Sequence, residues 1–135
     1  MYGAYVHVPF CLKRCDYCAF ATWDDRPQLI GRYVDGVRRE IADAGIGAVT
    51  SVFFGGGTPS LLTPEQLASI VRELDVAPGA EVTVECNPDT VDLDKLGDYR
   101  DAGVNRISLG VQSMVPHVLA ALGRTHDPDN VVRAV

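Results

Sequence analysis

Three cysteines, Cys11, Cys15 and Cys18, fall within the eight-residue run CLKRCDYC, and the series then breaks at Phe20. Thiolates hold iron–sulfur clusters, normally one for each iron, so a cubane carried by three protein thiolates leaves one iron without a protein ligand. An open coordination position is what a metal centre needs in order to bind and activate a small molecule, as catalytic zinc sites do. The same residues allow a rival: zinc held by Cys15-x-x-Cys18 with His7 as the fourth ligand. Cys86 reads differently, because it falls on the apolar side of an alternating run and suits a small buried hydrophobe.

Other residues are candidates for binding. GGGTP, residues 55–59, follows an apolar run, and glycines let a ligand approach the backbone closely. It lacks the Lys-Ser/Thr pair of a phosphate-binding loop and does not match the dinucleotide fingerprint. Glu85 and Gln112 both end alternating runs on the polar side, which would point both into one lumen near its mouth. His7, His117 and His126 receive no acid–base role.

The elements that would position these groups alternate. Strand-like runs at 5–9, 49–54, 81–86 and 105–111 are each followed by a loop and a helical pattern, which signals parallel βα units. Helices are expected over 27–44, 64–75 and 92–102, with a last one beginning near 115 or 128. Thr63, Pro64 and Gln66 give the second a capping-box start, and Gly45 and Gly103 stand where helices should stop. In EVTVEC, Val82, Val84 and Cys86 oppose Glu81, Thr83 and Glu85; in NRISLGVQ, Ile107, Leu109 and Val111 oppose Arg106, Ser108, Gly110 and Gln112. Ala4, Val6 and Val8 similarly oppose Tyr5, His7 and Pro9. Strands of an open sheet covered on both faces would be apolar throughout. The two-faced pattern predicts a barrel-like sheet with helices outside and a polar, ligand-holding interior, unlike the packed centre of an ordinary (β/α)8 barrel. Edge strands with one wet face are the alternative.

The composition fits one globular domain: 135 residues, 47% hydrophobic and 22% charged. A net charge of -6 speaks against a phosphate-neutralising surface, and so against nucleic acid as a partner. No run of eighteen apolar residues is present, and MYGAYVHVPF lacks the basic start of a secretory signal, so no transmembrane segment and a cytoplasmic location are expected. A reducing compartment makes disulfides rare and favours metal binding or catalysis for clustered thiols.

The spacing Cys-x3-Cys-x2-Cys in CLKRCDYC resembles the signature of the radical S-adenosylmethionine (SAM) proteins. YVHVPFC, FFGGGTPSLL, VECNPDT, GVNRISLGVQS and LGRTHD, spread over residues 5–127, resemble the oxygen-independent coproporphyrinogen III oxidase group of that family. Porphyrinogen-oxidising members carry a fourth cysteine two residues after the third. Phe20 stands there in this chain, so it is similar to the HemW branch of haem chaperones, which bind haem and hand it to acceptor proteins. An oxidase of the group is the alternative, and a zinc-binding interaction module is the alternative of another class.

The resemblance implies a 4Fe–4S cluster held by Cys11, Cys15 and Cys18, with the open iron binding the amino and carboxylate groups of SAM. It implies that Gly56, Gly57 and Thr58 meet the methionine end of SAM, and that Glu85 meets its hydroxyls or amino group. Gln112 and Arg124 would touch other parts of a SAM molecule, as would Tyr5 and Tyr17. An electron donor, haem or porphyrin, and a haem-acceptor protein are the implied partners. The implied fold is α/β, a partial (β/α) barrel of the radical SAM type, with about four βα units here of roughly six. Residues 1–135 would then be the N-terminal part of a radical SAM core domain, with the rest of the barrel and a C-terminal domain outside this sequence. Such a piece alone is expected to be poorly stable, since its sheet edge is open.

Overall fold

The structure, a computed structural model, describes residues 2–135. Four strands, β1 (Tyr2–Val8), β2 (Val49–Gly56), β3 (Val76–Cys86) and β4 (Arg106–Leu109), form one parallel sheet in the order β1-β2-β3-β4. Helices α1 (Ile30–Ala44), α2 (Pro64–Val71) and α3 (Leu93–Asp101) make the crossovers that parallel pairing requires. Two short helices follow, α4 (Pro116–Ala121) and α5 (Pro128–Ala134), one at each of the two expected starts. The sheet ends at β1 and β4 without closing, which is the arc of a partial barrel.

One face of the sheet carries the core. Val6, Val8, Val52, Phe54, Val82, Val84 and Cys86 pack with Val34 of α1, Leu67 and Ile70 of α2, and Tyr99 of α3. Tyr5 and Glu81 on the opposite face are exposed, while His7 and Glu85 are half-buried. The alternation therefore does what its pattern predicts: apolar residues seat the helices and polar ones face a concave side. Thr83 departs from this. It belongs to the polar face yet is fully buried, because its hydroxyl donates to Glu81 Oε1 (2.9 Å) and accepts from Arg106 Nη1 (3.3 Å), a lid supplied from the neighbouring strand.

Local chemistry sets most boundaries. The Gln66 N–H donates to Thr63 Oγ1 (3.2 Å) and the Thr63 N–H to Gln66 Oε1 (2.9 Å), the expected capping box of α2. This helix stops at Val71, four residues early, because the chain tightens to three-residue bonds, Glu73 N–H to the Ile70 carbonyl and Leu74 N–H to that of Val71 (both 3.1 Å). Strand β3 begins at Val76 rather than 81: a register shift opposite Val49–Ser51 absorbs Pro78 and Gly79. Strand β4 ends at Leu109, short of the expected Val111.

The register brings four strand ends level. Val8 pairs with Gly56, Phe54 with Val84, and Cys86 with Leu109, so the loops leaving β1, β2, β3 and β4 emerge on one rim. Beneath it, the Tyr99 hydroxyl donates to the Leu62 carbonyl (2.7 Å) in the core. Tyr99→Phe should lower unfolding free energy by about 1–3 kcal/mol, because that carbonyl would be left buried without its donor. A denaturant titration against the parent reads it, and an unchanged midpoint would refute it.

Candidate functional site

The loop that carries the three cysteines is pinched at its base. Trp23 N–H donates to the Pro9 carbonyl (2.8 Å) and Cys11 N–H to the Trp23 carbonyl (3.0 Å), so residues 11–22 leave and return at one point beyond β1. Inside it, Cys18 N–H donates to the Cys15 carbonyl (3.1 Å) and Arg14 N–H to Asp24 Oδ2 (2.9 Å). The loop after β2 is bonded to this base: Gly57 N–H donates to the Val8 carbonyl (2.8 Å) and Thr58 N–H to that of Phe10 (2.7 Å). Glycine is required here. A Cβ on Gly57 would lie 2.5 Å from the Phe10 carbonyl oxygen and 3.0 Å from Cys11 Sγ. Gly56, at φ 109°, would bring one to 2.6 Å from His7 Nδ1.

These loops enclose a cavity of about 290 Å³ on the rim. Cys11, Cys15, Cys18 and Tyr17 line it from the first loop, and Gly56, Gly57 and Thr58 from the second. Glu85 contributes from the end of β3, Gln112 and Arg124 from beyond β4. Gln112 gets there by a different route from the one its alternation predicts: it lies past the strand, exposed, in a left-handed turn at φ 60°. Tyr5 stands apart from the cavity wall. Its ring stacks on Phe53 (6.1 Å between centroids), and its phenol is raised above the ordinary range by burial first and the Glu85 charge second.

Electrostatics follow from who touches whom. Burial raises the Cys11 thiol pKa, with Cys18 and Cys15 adding to it, while the hydroxyls of Thr58 and Thr22 pull it down. The Tyr17 phenol is raised by burial and by Cys15, against the lowering effect of the Arg124 guanidinium beside it. Arg124 in turn donates from Nη2 to the Gly110 carbonyl. Cys86 is 3% exposed, and burial pushes its thiol up to about 12, as its reading as a buried hydrophobe expects.

A model of the Radical SAM superfamily matches residues 5–135. The chain belongs to the radical SAM superfamily. It is 44% identical to the heme chaperone HemW of Mycobacterium tuberculosis, in an alignment covering 98% of this chain and 37% of that protein. It is 37% identical to HemW of Escherichia coli, covering 96% and 37%. Among solved structures, the coproporphyrinogen III oxidase HemN of Escherichia coli, a radical SAM enzyme, superposes with a TM-score of 0.85 at 29% identity, over 96% of this chain and 32% of that one. The chain thus spans 37% of the length of these HemW relatives.

Membership of the radical SAM superfamily implies a 4Fe–4S cluster and SAM. Among the described residues no three thiol, imidazole or carboxylate groups are drawn into a ligand set around one point; the three sulfurs share a cavity wall instead. The donor set still fits a cluster. All three cysteines are free and half-buried, and the buried Thr22 hydroxyl, which has no fixed partner, lies against the Cys11 sulfur as a donor for a thiolate. The zinc alternative fits poorly. Its fourth ligand, His7, lies outside the cavity with both nitrogens engaged: the Tyr5 hydroxyl donates to Nδ1 (3.1 Å), and Nε2–H donates to the Ala21 carbonyl (3.0 Å).

Residues not singled out as site candidates from the sequence also reach the site. Lys13, Asn87, Ser108 and Thr125 line the cavity. Asn87 N–H donates to Ser60 Oγ (3.0 Å), and Lys95 Nζ donates to the carbonyls of Ser60 (2.7 Å) and Thr90 (3.1 Å), so one half-buried cation ties the loop after β2 to the loop after β3. No helix among the described residues is long and apolar enough to cross a membrane.

Proposed function

We propose that this chain holds a 4Fe–4S cluster through Cys11, Cys15 and Cys18 and binds SAM at the cluster's open iron, within a haem-binding protein of the HemW type that passes haem to an acceptor protein. One observation carries the reading: ten of the eleven expected site residues, drawn from separate stretches of the chain, line a single cavity, with Tyr5 alone outside it. When bound and reduced by a donor protein, the cluster supplies an electron to the sulfonium of SAM. The chain's own residues bind and orient. The glycine turn at Gly56 and Gly57 leaves room for the methionine end beside Thr58, Glu85 offers a carboxylate to hydroxyl or amino groups, and Gln112 and Arg124 close the far side. Tyr17 joins the cluster loop to Arg124, and Tyr5 borders Glu85 on the concave face. Phe20, 59% exposed on the cavity wall where a fourth cysteine would stand in an oxidase, supports the chaperone over the oxidase.

Anaerobic reconstitution with iron and sulfide, followed by EPR of the reduced protein with and without SAM, tests the reading. The expected result is a cluster signal whose shape changes on adding SAM. A colourless protein containing zinc, or a cluster indifferent to SAM, would overturn it. Haem titration beside an anaerobic coproporphyrinogen decarboxylation assay separates the branches: haem binding without decarboxylation is expected, and decarboxylation would instead identify an oxidase.

A further inference from the structure

We propose that His126 is a positioning residue for Arg124, fixing its guanidinium between the end of β4 and the cysteine loop so that it meets SAM preorganised. The inference rests on the reading of Arg124 as a SAM contact and goes beyond it. His126 is 4% exposed, although imidazole is seldom buried without a reason. Arg124 Nε donates to its Nδ1 (3.3 Å), which makes Nδ1 the acceptor and leaves the proton on Nε2. That Nε2 is buried and has no partner in hydrogen-bond geometry; the Val111 carbonyl, which accepts the Ser113 N–H (2.6 Å), lies near enough to attract its proton without completing a bond.

A buried donor left unpaired costs stability, so a residue retained only for packing would do better as leucine. What the imidazole gives in return is one acceptor aimed at Arg124. The guanidinium is then held at three points: by His126 at Nε, by the Gly110 carbonyl at Nη2, and beside Tyr17 in the cysteine loop. Burial, and after it the Arg124 charge, lower the pKa of His126, against Asp89, Asp127 and the Val111 carbonyl, which keeps the ring an acceptor at neutral pH. The backbone before Arg124 is anchored too: a Cβ on residue 123 would lie 2.8 Å from Asp16 Oδ2, so the chain there packs directly on the cysteine loop.

Two substitutions separate positioning from packing, because they change the two properties in opposite directions. His126→Leu keeps the volume, removes the acceptor and also removes the unpaired donor; His126→Asn sets Oδ1 near the place of Nδ1 but buries an amide. SAM affinity by equilibrium dialysis and melting temperature would both be measured on the cluster-loaded protein. Expected are a roughly tenfold weaker SAM affinity for His126→Leu at equal or higher melting temperature, and an affinity within about threefold of the parent for the less stable His126→Asn. If affinity instead follows stability, with the leucine variant binding normally, the inference fails. Arg124→Ala distinguishes the premise: normal SAM binding by that variant would sink the reading of Arg124 itself, whereas weak binding there with normal binding by His126→Leu would sink only the positioning role.

Discussion

Serine in place of any one of Cys11, Cys15 or Cys18 is expected to leave a folded protein that reconstitutes with almost no iron, against about four per chain in the parent. The two halves of that expectation have separate grounds. None of the three thiols belongs to the hydrophobic core, and the loop is fastened at its base by backbone bonds through Cys11, Trp23 and Pro9, so each substitution should move stability by no more than about 0.5 kcal/mol. A cubane with only two protein thiolates, by contrast, has two irons exposed to exchange with solvent and chelators. Cys86→Ala is the internal control. Its sulfur is buried among Val82 and Val84, so it should lose about 1 kcal/mol or more of stability while keeping its iron. Iron analysis, visible absorption and melting of the four variants read both properties, and a serine variant with full iron and a SAM-responsive signal would remove that cysteine from the ligand set.

Gly57→Ala should be nearly as damaging, through sterics rather than lost ligation. The new methyl would press on the Phe10 carbonyl oxygen at 2.5 Å and on Cys11 Sγ at 3.0 Å. The first is backbone, bonded to Thr58 N–H, and cannot rotate away. Overpacking of this kind typically costs about 1–3 kcal/mol, and relief by moving Cys11 outward would displace a cluster ligand. A SAM affinity at least tenfold weaker and a lower melting temperature are expected. Gly47→Ala meets nothing within 4 Å and has no positive φ, so it should leave SAM affinity unchanged and the melting temperature equal or slightly higher. If Gly57→Ala matches Gly47→Ala in both, the close approach of the two loops has no bearing on the site.

Much of the site was readable because its signals are local. Three thiols in eight residues, a glycine turn after an apolar run and a glutamate on the polar phase of EVTVEC are each contained in one short stretch. The residues that escaped are those whose role depends on a partner far along the chain. Thr83 is buried by Arg106 from the next strand, and the pair Arg124 and His126 is set by the segment 110–113 that comes up against it; Gln112 was expected at the site and is there, but by a turn that alternation does not describe. The expected end of α2 at 75 and start of β3 at 81 failed for a related reason. Both lie where short three-residue bonds and a bulge, not side-chain period, set the backbone.

The sequence by itself determined which donors exist, in what order they come, and which strand residues face the helices, since each follows from spacing within one element. Tertiary structure decided that ten of the eleven expected site residues share one cavity and that His7 does not, because parallel register levels the four strand ends and gathers on one rim loops that begin and end more than a hundred residues apart. Convergence is a property of pairing between distant segments, and no window of the chain contains it.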